Sequence, residues 1–174
     1  MSEIKYFPHN LNVEDKNIIV RVDLNVPLKD KKIQDLTRIN QVIPFLQNLV
    51  KKKAKIILIS HLGRPKGMKD NALSLLPVYK YLKENLNTNM YFYAGEINNK
   101  VKEKISYLKG SEILLIENIR FFKEETENDE EFSKKLGALG EIYVNDAFSC
   151  SHRKQSSIHN ITKFVKEIYG GPLL

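Results

Sequence analysis

Cysteine is almost missing from this chain of 174 residues, and the single Cys150 excludes both an internal disulfide framework and a zinc site built on thiolates. A reducing compartment and an inert thiol are expected. No apolar run approaches the roughly 20 residues that a membrane span needs. The amino terminus also lacks the apolar core of a signal peptide, so a cytoplasmic protein with no membrane partner is expected. A nucleotide cradle is absent too: no glycine-rich run joins a strand to a helix, and no G-x-x-x-x-G-K followed by Ser or Thr occurs. His9, His61, His152 and His159 are scattered, without a helical pair of carboxylates beside them, which gives no metal-ligand spacing. Cys150 and His152 stand too close in sequence to read as a nucleophile and its base. There is no internal repeat and no low-complexity linker.

Arginine is scarce in a way that informs. The chain carries a net charge of +7, which favours acidic partners, either nucleic acid or a small anionic metabolite. Of its 28 basic residues only Arg21, Arg38, Arg64, Arg120 and Arg153 are arginine. Where a lysine-rich chain turns to arginine, the planar fork that grips carboxylate or phosphate in two places is the physical reason to look for. The remaining composition, 42% hydrophobic and 28% charged, is that of an ordinary globular domain.

Five strands are expected, four of them ending in polar residues. Asn17 to Val22 is rich in β-branched residues, as a strand covered on both faces tends to be, and leads into Asp23, Asn25 and Pro27. A polar turn follows at Leu28 to Ile33, and Asp35 stands where the cap of a helix over about Leu36 to Lys53 should be. Ile39, Val42, Ile43, Leu46, Leu49 and Val50 recur at helical spacing along it, with Pro44 expected to bend it. Lys55 to Ser60 is the second strand and runs into His61-Leu62-Gly63-Arg64-Pro65-Lys66-Gly67, a loop that can bring backbone and several donors close to an anion.

A helix from about Ser74, a strand at Met90 to Ala94 and a helix closed by Gly110 come next, and Tyr91, Phe92 and Tyr93 read as packing rather than base stacking. The fourth strand, Glu112 to Glu117, ends in Asn118 and Arg120. The acidic run Glu124 to Glu131 reads as a solvated loop entering a helix, with no catalytic part. Glu141 to Asp146 is the fifth strand and leads to Arg153. From Ile158 to Val165 a last helix is expected, with Tyr169 to Leu174 frayed or docked on a neighbouring molecule.

Strands alternating with helices predict an α/β fold: a doubly wound, mostly parallel sheet with helices on both faces, a Rossmann-like three-layer sandwich. In such sheets ligands bind outside the carboxyl ends of the strands. The polar ends Asp23 to Arg38, His61 to Arg64, Asn118 to Arg120 and Asp146 to Arg153 would therefore meet at one edge. There they would make a site for a small, multiply charged anion. A competing reading, a non-catalytic anion or nucleic-acid binding module, draws on the net charge and on Lys51-Lys52-Lys53, which also read as a solvated helix face.

With these strand ends in view the chain resembles the amino-terminal half of the phosphoglycerate kinase family over essentially its whole length. The resemblance rests on Arg21 to Leu28, Asp35-Leu36-Thr37-Arg38-Ile39, Ser60 to Gly67, Glu117-Asn118-Ile119-Arg120-Phe121-Phe122 and Val144-Asn145-Asp146-Ala147-Phe148, in family order. It implies a monomeric, cytoplasmic enzyme of glycolysis that moves a phosphoryl group between 1,3-bisphosphoglycerate and ADP, giving 3-phosphoglycerate and ATP. Residues 1–174 would be its 3-phosphoglycerate-binding half. Magnesium with ATP or ADP is expected on a carboxy-terminal domain that this chain lacks, so no cofactor or metal is expected here and the isolated chain should be inactive. That domain and the phosphoglycerate substrate are the implied partners, with no nucleic acid.

By the same resemblance Asp23 and Asn25 would meet the hydroxyl and carboxylate end of the substrate. His61, Arg64, Arg120 and Arg153 would hold its phosphate, Leu24, Leu62 and Gly63 would be further substrate-binding residues, and Arg38 would be the catalytic residue facing the transferring group. The chain departs from the family where Ser149-Cys150-Ser151 stands in place of the common Gly-Thr-Ala, and where Gln155 replaces a common histidine.

Overall fold

The β-branched and aliphatic runs become the strands of one parallel sheet. The computed structural model describes residues 4–174. In chain order its elements are β1 (Asn17–Val22), β2 (Leu28–Lys29), β3 (Lys32–Ile33), α1 (Thr37–Lys51), β4 (Lys55–Ile59), α2 (Leu76–Asn85) and β5 (Met90–Tyr93), then α3 (Asn99–Ser106), β6 (Ile113–Ile116), α4 (Lys123–Glu127), α5 (Glu130–Gly137), β7 (Ile142–Asp146) and β8 (Glu167–Gly170). Six strands pair in the order β5-β6-β4-β1-β7-β8, every pair parallel. The connection after β1 runs to one side and the one after β7 to the other. The order therefore reverses between those neighbours, where a crevice opens at the carboxyl ends.

Alternation along each strand divides the core into two layers. Ile18, Val20, Val22, Ile56 and Leu58 pack with Ile39, Val42, Leu46 and Leu49 of α1 and Val78 and Leu82 of α2. On the opposite face Ile19, Ile57, Leu114 and Tyr143 pack with Val101 and Ile105 of α3 and with Phe132 and Leu136 of α5. Each fully buried aliphatic side chain contributes about 1.5–3 kcal/mol, so both layers are strongly held. The doubly wound α/β sandwich is thus present as expected.

Several local expectations are corrected. The helix after β3 starts with Leu36 at its cap position, and Asp35 acts one residue earlier by accepting from the Thr37 N–H at 2.8 Å. The turn at Leu28 to Ile33 is a hairpin of β2 and β3, with Asp30 and Lys31 at positive φ, the backbone such a two-residue turn demands. Gly110 does not cap α3, which ends at Ser106 with Tyr107 at the cap position. Instead Gly110 lies where a Cβ would come within 2.8 Å of Asp15 Oδ1 and Lys53 O.

The segment expected as a last helix is a short 3₁₀ turn at Asn160–Lys163 followed by β8, a sixth strand. β8 is tied down on both sides: Gly171 N donates to Asn145 O at 2.8 Å, Phe7 N to Gly170 O at 2.9 Å and Leu173 N to the Asp146 carboxylate at 2.6 Å. Tyr169 is buried against Phe7, so this segment, expected to be frayed or docked on a neighbouring molecule, packs on its own sheet. Among the described residues no helix is long and apolar enough to cross a membrane.

Candidate functional site

Two strand ends are fastened to each other before any ligand group is placed. Ser60, just beyond β4, donates its hydroxyl to Val22 O at 2.9 Å and accepts from Leu24 N at 2.9 Å, tying the exits of β1 and β4 together. Asn118, just beyond β6, is wholly buried. Its Nδ2 donates to Leu62 O at 2.7 Å and Leu73 O at 2.9 Å, while its Oδ1 accepts from Leu62 N at 3.2 Å and Arg120 N at 3.1 Å. A buried amide with its donors and acceptor all matched fixes backbone shape, here that of the loop carrying His61 to Arg64. Gly63 turns that loop at φ +61°, and a Cβ there would come within 2.7 Å of Leu73 Cδ2.

Around this frame lies a cleft of about 310 Å³ lined by Asn25, Arg38, His61, Gly63, Arg64, Arg120, Ser149, Cys150 and Arg153. Residues as far apart in sequence as Asn25 and Arg153 meet because parallel strands deliver their exits to one edge. A roomier cleft of about 460 Å³ beside β5 has a largely aromatic and aliphatic lining and no arginine. Asp23 sits behind the wall: its Oδ1 accepts from Asn25 N at 3.0 Å, and its Oδ2 accepts from Arg38 Nη1 at 2.5 Å and from the Ser149 hydroxyl. Asn25 Oδ1 accepts from Gly63 N at 2.9 Å, and its amide nitrogen has no partner among the described residues. Three expected site residues do not line the cleft: Asp23, behind its wall, and Leu24 and Leu62. Leu24 and Leu62 are buried in the main core, and their N–H groups are taken by Ser60 and Asn118.

The electrostatics are lopsided. Among the described residues Arg38 with Asp23 is the one arginine–carboxylate ion pair. Arg120 donates to Gly63 O at 2.9 Å, but its Nε is buried without a partner, as is that of Arg153. Burial, then the neighbouring Arg153 and Arg21, push Arg120 below its ordinary value, although a guanidinium stays charged. Cations crowded together without carboxylates await an anion.

His61 responds to the same field. Burial first, then Arg21, Arg120 and Arg153, depress its imidazole to about 2, so the ring is neutral at physiological pH. Arg21 Nη2 lies 3.1 Å from His61 Nδ1, and a guanidinium can only donate, so Nδ1 accepts and Nε2 carries the proton. For Asp23 burial pushes the carboxyl up. The hydrogen bonds from Ser149 and the Asn25 N–H outweigh it, with help from Arg38, and hold the group below the ordinary aspartate value.

Four participants lay outside the expected site residues. Arg21, fully buried within β1, bonds to His61, Val22 O and Ser157. Glu125, in the supposedly solvated acidic run, has no exposed surface and accepts from Ser157. Ser149 and Gln155, at the departures from the family pattern, contact Asp23 and, at 3.5 Å, Arg120. A charge in the middle of a β-branched run was the available signal for Arg21. Nothing in the local sequence marks Glu125 among its acidic neighbours.

A family model described as phosphoglycerate kinase matches residues 9–174. The phosphoglycerate kinase of Wolbachia pipientis is 47% identical over 161 residues, covering 92% of this chain and 40% of that protein. The one from Desulforapulum autotrophicum is 46% identical over 165 residues, covering 94% and 42%. Among solved structures, phosphoglycerate kinase from Coxiella burnetii superposes with a TM-score of 0.85 at 35% identity, covering 94% of this chain and 40% of that one. The enzyme from Pyrococcus horikoshii gives 0.83 at 29% identity, covering 97% and 42%. The chain thus spans about 40% of the length of the curated relatives it matches.

Proposed function

The chain belongs to the phosphoglycerate kinase family, and from that premise and the arginine-lined cleft we propose that it is the 3-phosphoglycerate-binding half of a glycolytic kinase. The reaction would move a phosphoryl group between 1,3-bisphosphoglycerate and ADP to give 3-phosphoglycerate and ATP. The observation that carries the reading is the cluster of Arg64, Arg120 and Arg153, unpaired with carboxylates, around a cleft sized for a small metabolite. In this reading the three arginines and the Nε2–H of His61 hold the substrate phosphate, and Asp23 and Asn25 meet its hydroxyl and carboxylate end. A monomeric, cytoplasmic enzyme is part of the same proposal.

Arg38 is the group we assign to the transferring phosphoryl. Phosphoryl transfer is catalysed chiefly by positioning and by neutralising charge on the moving oxygens, which is work for a mobile guanidinium. In this structure Arg38 rests on Asp23 at 2.5 Å with 46% of its side chain exposed. An ion pair so accessible to water is worth about 0–1 kcal/mol, so an incoming anion can draw Arg38 away at small cost. Magnesium with ATP or ADP does not fit this cleft. The carboxylate nearest to it, Asp23, already accepts three hydrogen bonds, and the remaining groups are cations and a neutral imidazole. We therefore assign the nucleotide to the portion of the relatives that this chain does not span.

Calorimetric titration tests the assignment against a general basic surface. 3-Phosphoglycerate should bind more tightly than 2-phosphoglycerate or inorganic phosphate, with a shallow dependence on salt. Equal affinity for all three anions, or tight binding of duplex DNA with a steep logarithmic salt slope, would defeat it.

A further inference from the structure

One buried acidic residue, Glu125, is linked to the cleft through a line of side-chain hydrogen bonds. Both carboxylate oxygens of Glu125 are engaged by Ser157, which donates its hydroxyl to Oε1 at 2.6 Å and its backbone N–H to Oε2 at 2.8 Å. The same hydroxyl oxygen accepts from Arg21 Nε at 2.9 Å, and Arg21 Nη2 donates to His61 Nδ1 at 3.1 Å. All four side chains are buried. A serine hydroxyl has one proton to give. Because Glu125 receives it, the face that Ser157 turns to Arg21 accepts the Nε–H and holds the guanidinium in place, and the guanidinium, which can only donate, makes His61 Nδ1 the acceptor. Two side contacts keep the line from rotating: Arg21 Nη1 donates to Val22 O at 2.5 Å, and the Tyr143 hydroxyl donates to Ser157 O at 2.7 Å.

We propose that Glu125 and Ser157 are positioning residues for His61, acting through Arg21 to fix the imidazole as its Nε2–H tautomer, a donor for the anion in the cleft. The charged groups around the ring are Arg21 from β1, Asp23 just beyond it, Arg120 after β6 and Arg153 after β7. Those around Glu125 are Arg21 and Arg120. Burial first, and then three guanidiniums against one carboxylate, keep the ring from taking a second proton. Arg21, held in place by Ser157 and Glu125, decides which nitrogen holds the first. A donor held this way serves the site equally from pH 5 to 8, where an ordinary histidine would change charge.

The effect on binding rests on the phosphoglycerate reading, whereas the tautomer does not depend on which anion binds. Long-range proton–nitrogen NMR of the His61 ring in the 174-residue chain separates the two. In the wild type Nδ1 should be unprotonated and Nε2 protonated, without change from pH 8 to pH 5. Ser157→Ala should give mixed tautomers or a ring that titrates in that range, and should weaken 3-phosphoglycerate binding by about five- to tenfold. Ser157→Thr, which keeps the hydroxyl, should restore both.

Ser156→Ala is the control for a merely structural role. Ser156 is equally buried and bonds to Glu124 O at 2.7 Å, with no link to Arg21, so its loss should leave the ring signals alone. Should Ser157→Ala not fold, Glu125→Gln provides the second variant. A wild-type ring protonated on Nδ1 or titrating near its ordinary value overturns the proposal, as do wild-type ring signals in both variants. Expected ring behaviour in a protein indifferent to 3-phosphoglycerate supports the positioning line and overturns the substrate reading instead.

Discussion

Arg153 separates the demands of the fold from those of the site. Among the described residues its guanidinium has no carboxylate within ion-pair distance and its Nε has no partner, and it adds to the charge that depresses His61 and Arg120. Removing one of several mutually repelling cations should cost the fold little. Arg153→Ala is therefore expected to change unfolding free energy by less than about 0.5 kcal/mol in a denaturant titration. It should also weaken 3-phosphoglycerate binding by at least about tenfold, the loss of one charge-assisted contact. Asp23 offers a second test at this scale. Ser149 contributes more than Arg38 to holding its carboxyl low. Ser149→Ala should raise the Asp23 titration midpoint more than Arg38→Ala does, as followed by carboxyl carbon NMR. The opposite order would mean that the ion pair and not the serine governs Asp23.

At the scale of elements the loop after β4 is held more by geometry than by strength. Gly63 combines a left-handed backbone with close approach to Leu73, and its carbonyl receives Arg120. Gly63→Ala should lower stability by about 1–2 kcal/mol and weaken anion binding as well, because strain at this turn displaces the Arg120 contact. A variant that loses stability but keeps full affinity would show that the loop and the site are uncoupled.

These elements differ in how legible they are. β1, β4 and β6 show in the sequence because β-branched and aliphatic runs have one reading when both faces are covered, and their polar ends bring His61 and Arg120 to the cleft and Asp23 behind its wall. β8 does not, since Glu167-Ile168-Tyr169-Gly170 is short, borders glycine, and becomes a strand by pairing with Ile142 to Asn145. Glu125 is hidden for a related reason. Its burial is decided by Ser156 and Ser157, about thirty residues away, whose backbone N–H groups meet its carbonyl and carboxylate. Contacts at such separation leave no mark in local spacing, which is why an acidic run read as solvated contains the anchor of the cleft.

Across the whole molecule, the exit of β7 joins the cleft's sheet edge to the carboxy-terminal strand. Asp146 is buried with Oδ2 unpartnered, and burial pushes its carboxyl up to about 6, against a partial offset from the Leu173 N–H. A carboxyl raised in the folded state favours folding fully below its ordinary value of 3.8, and that contribution is lost as the pH rises through about 6. Asp146→Asn, which resembles the protonated form, should therefore gain about 1–2 kcal/mol over the wild type at pH 7.5. The gain should vanish by about pH 4, as measured by denaturant titration at each pH. A gain independent of pH would place the effect elsewhere.

The convergence of four distant strand exits on one anion is tested most directly by mapping backbone amide shifts of the whole chain as 3-phosphoglycerate is added. Asp23, Asn25, His61 to Arg64, Arg120 and Arg153 should move together along one saturating curve, while Glu127 and Lys51 to Lys53 stay still, and 2-phosphoglycerate should require a higher concentration for smaller shifts. Shifts that spread over Lys51 to Lys53, or that are the same for inorganic phosphate and both phosphoglycerates, would contradict a built site and leave only a basic surface.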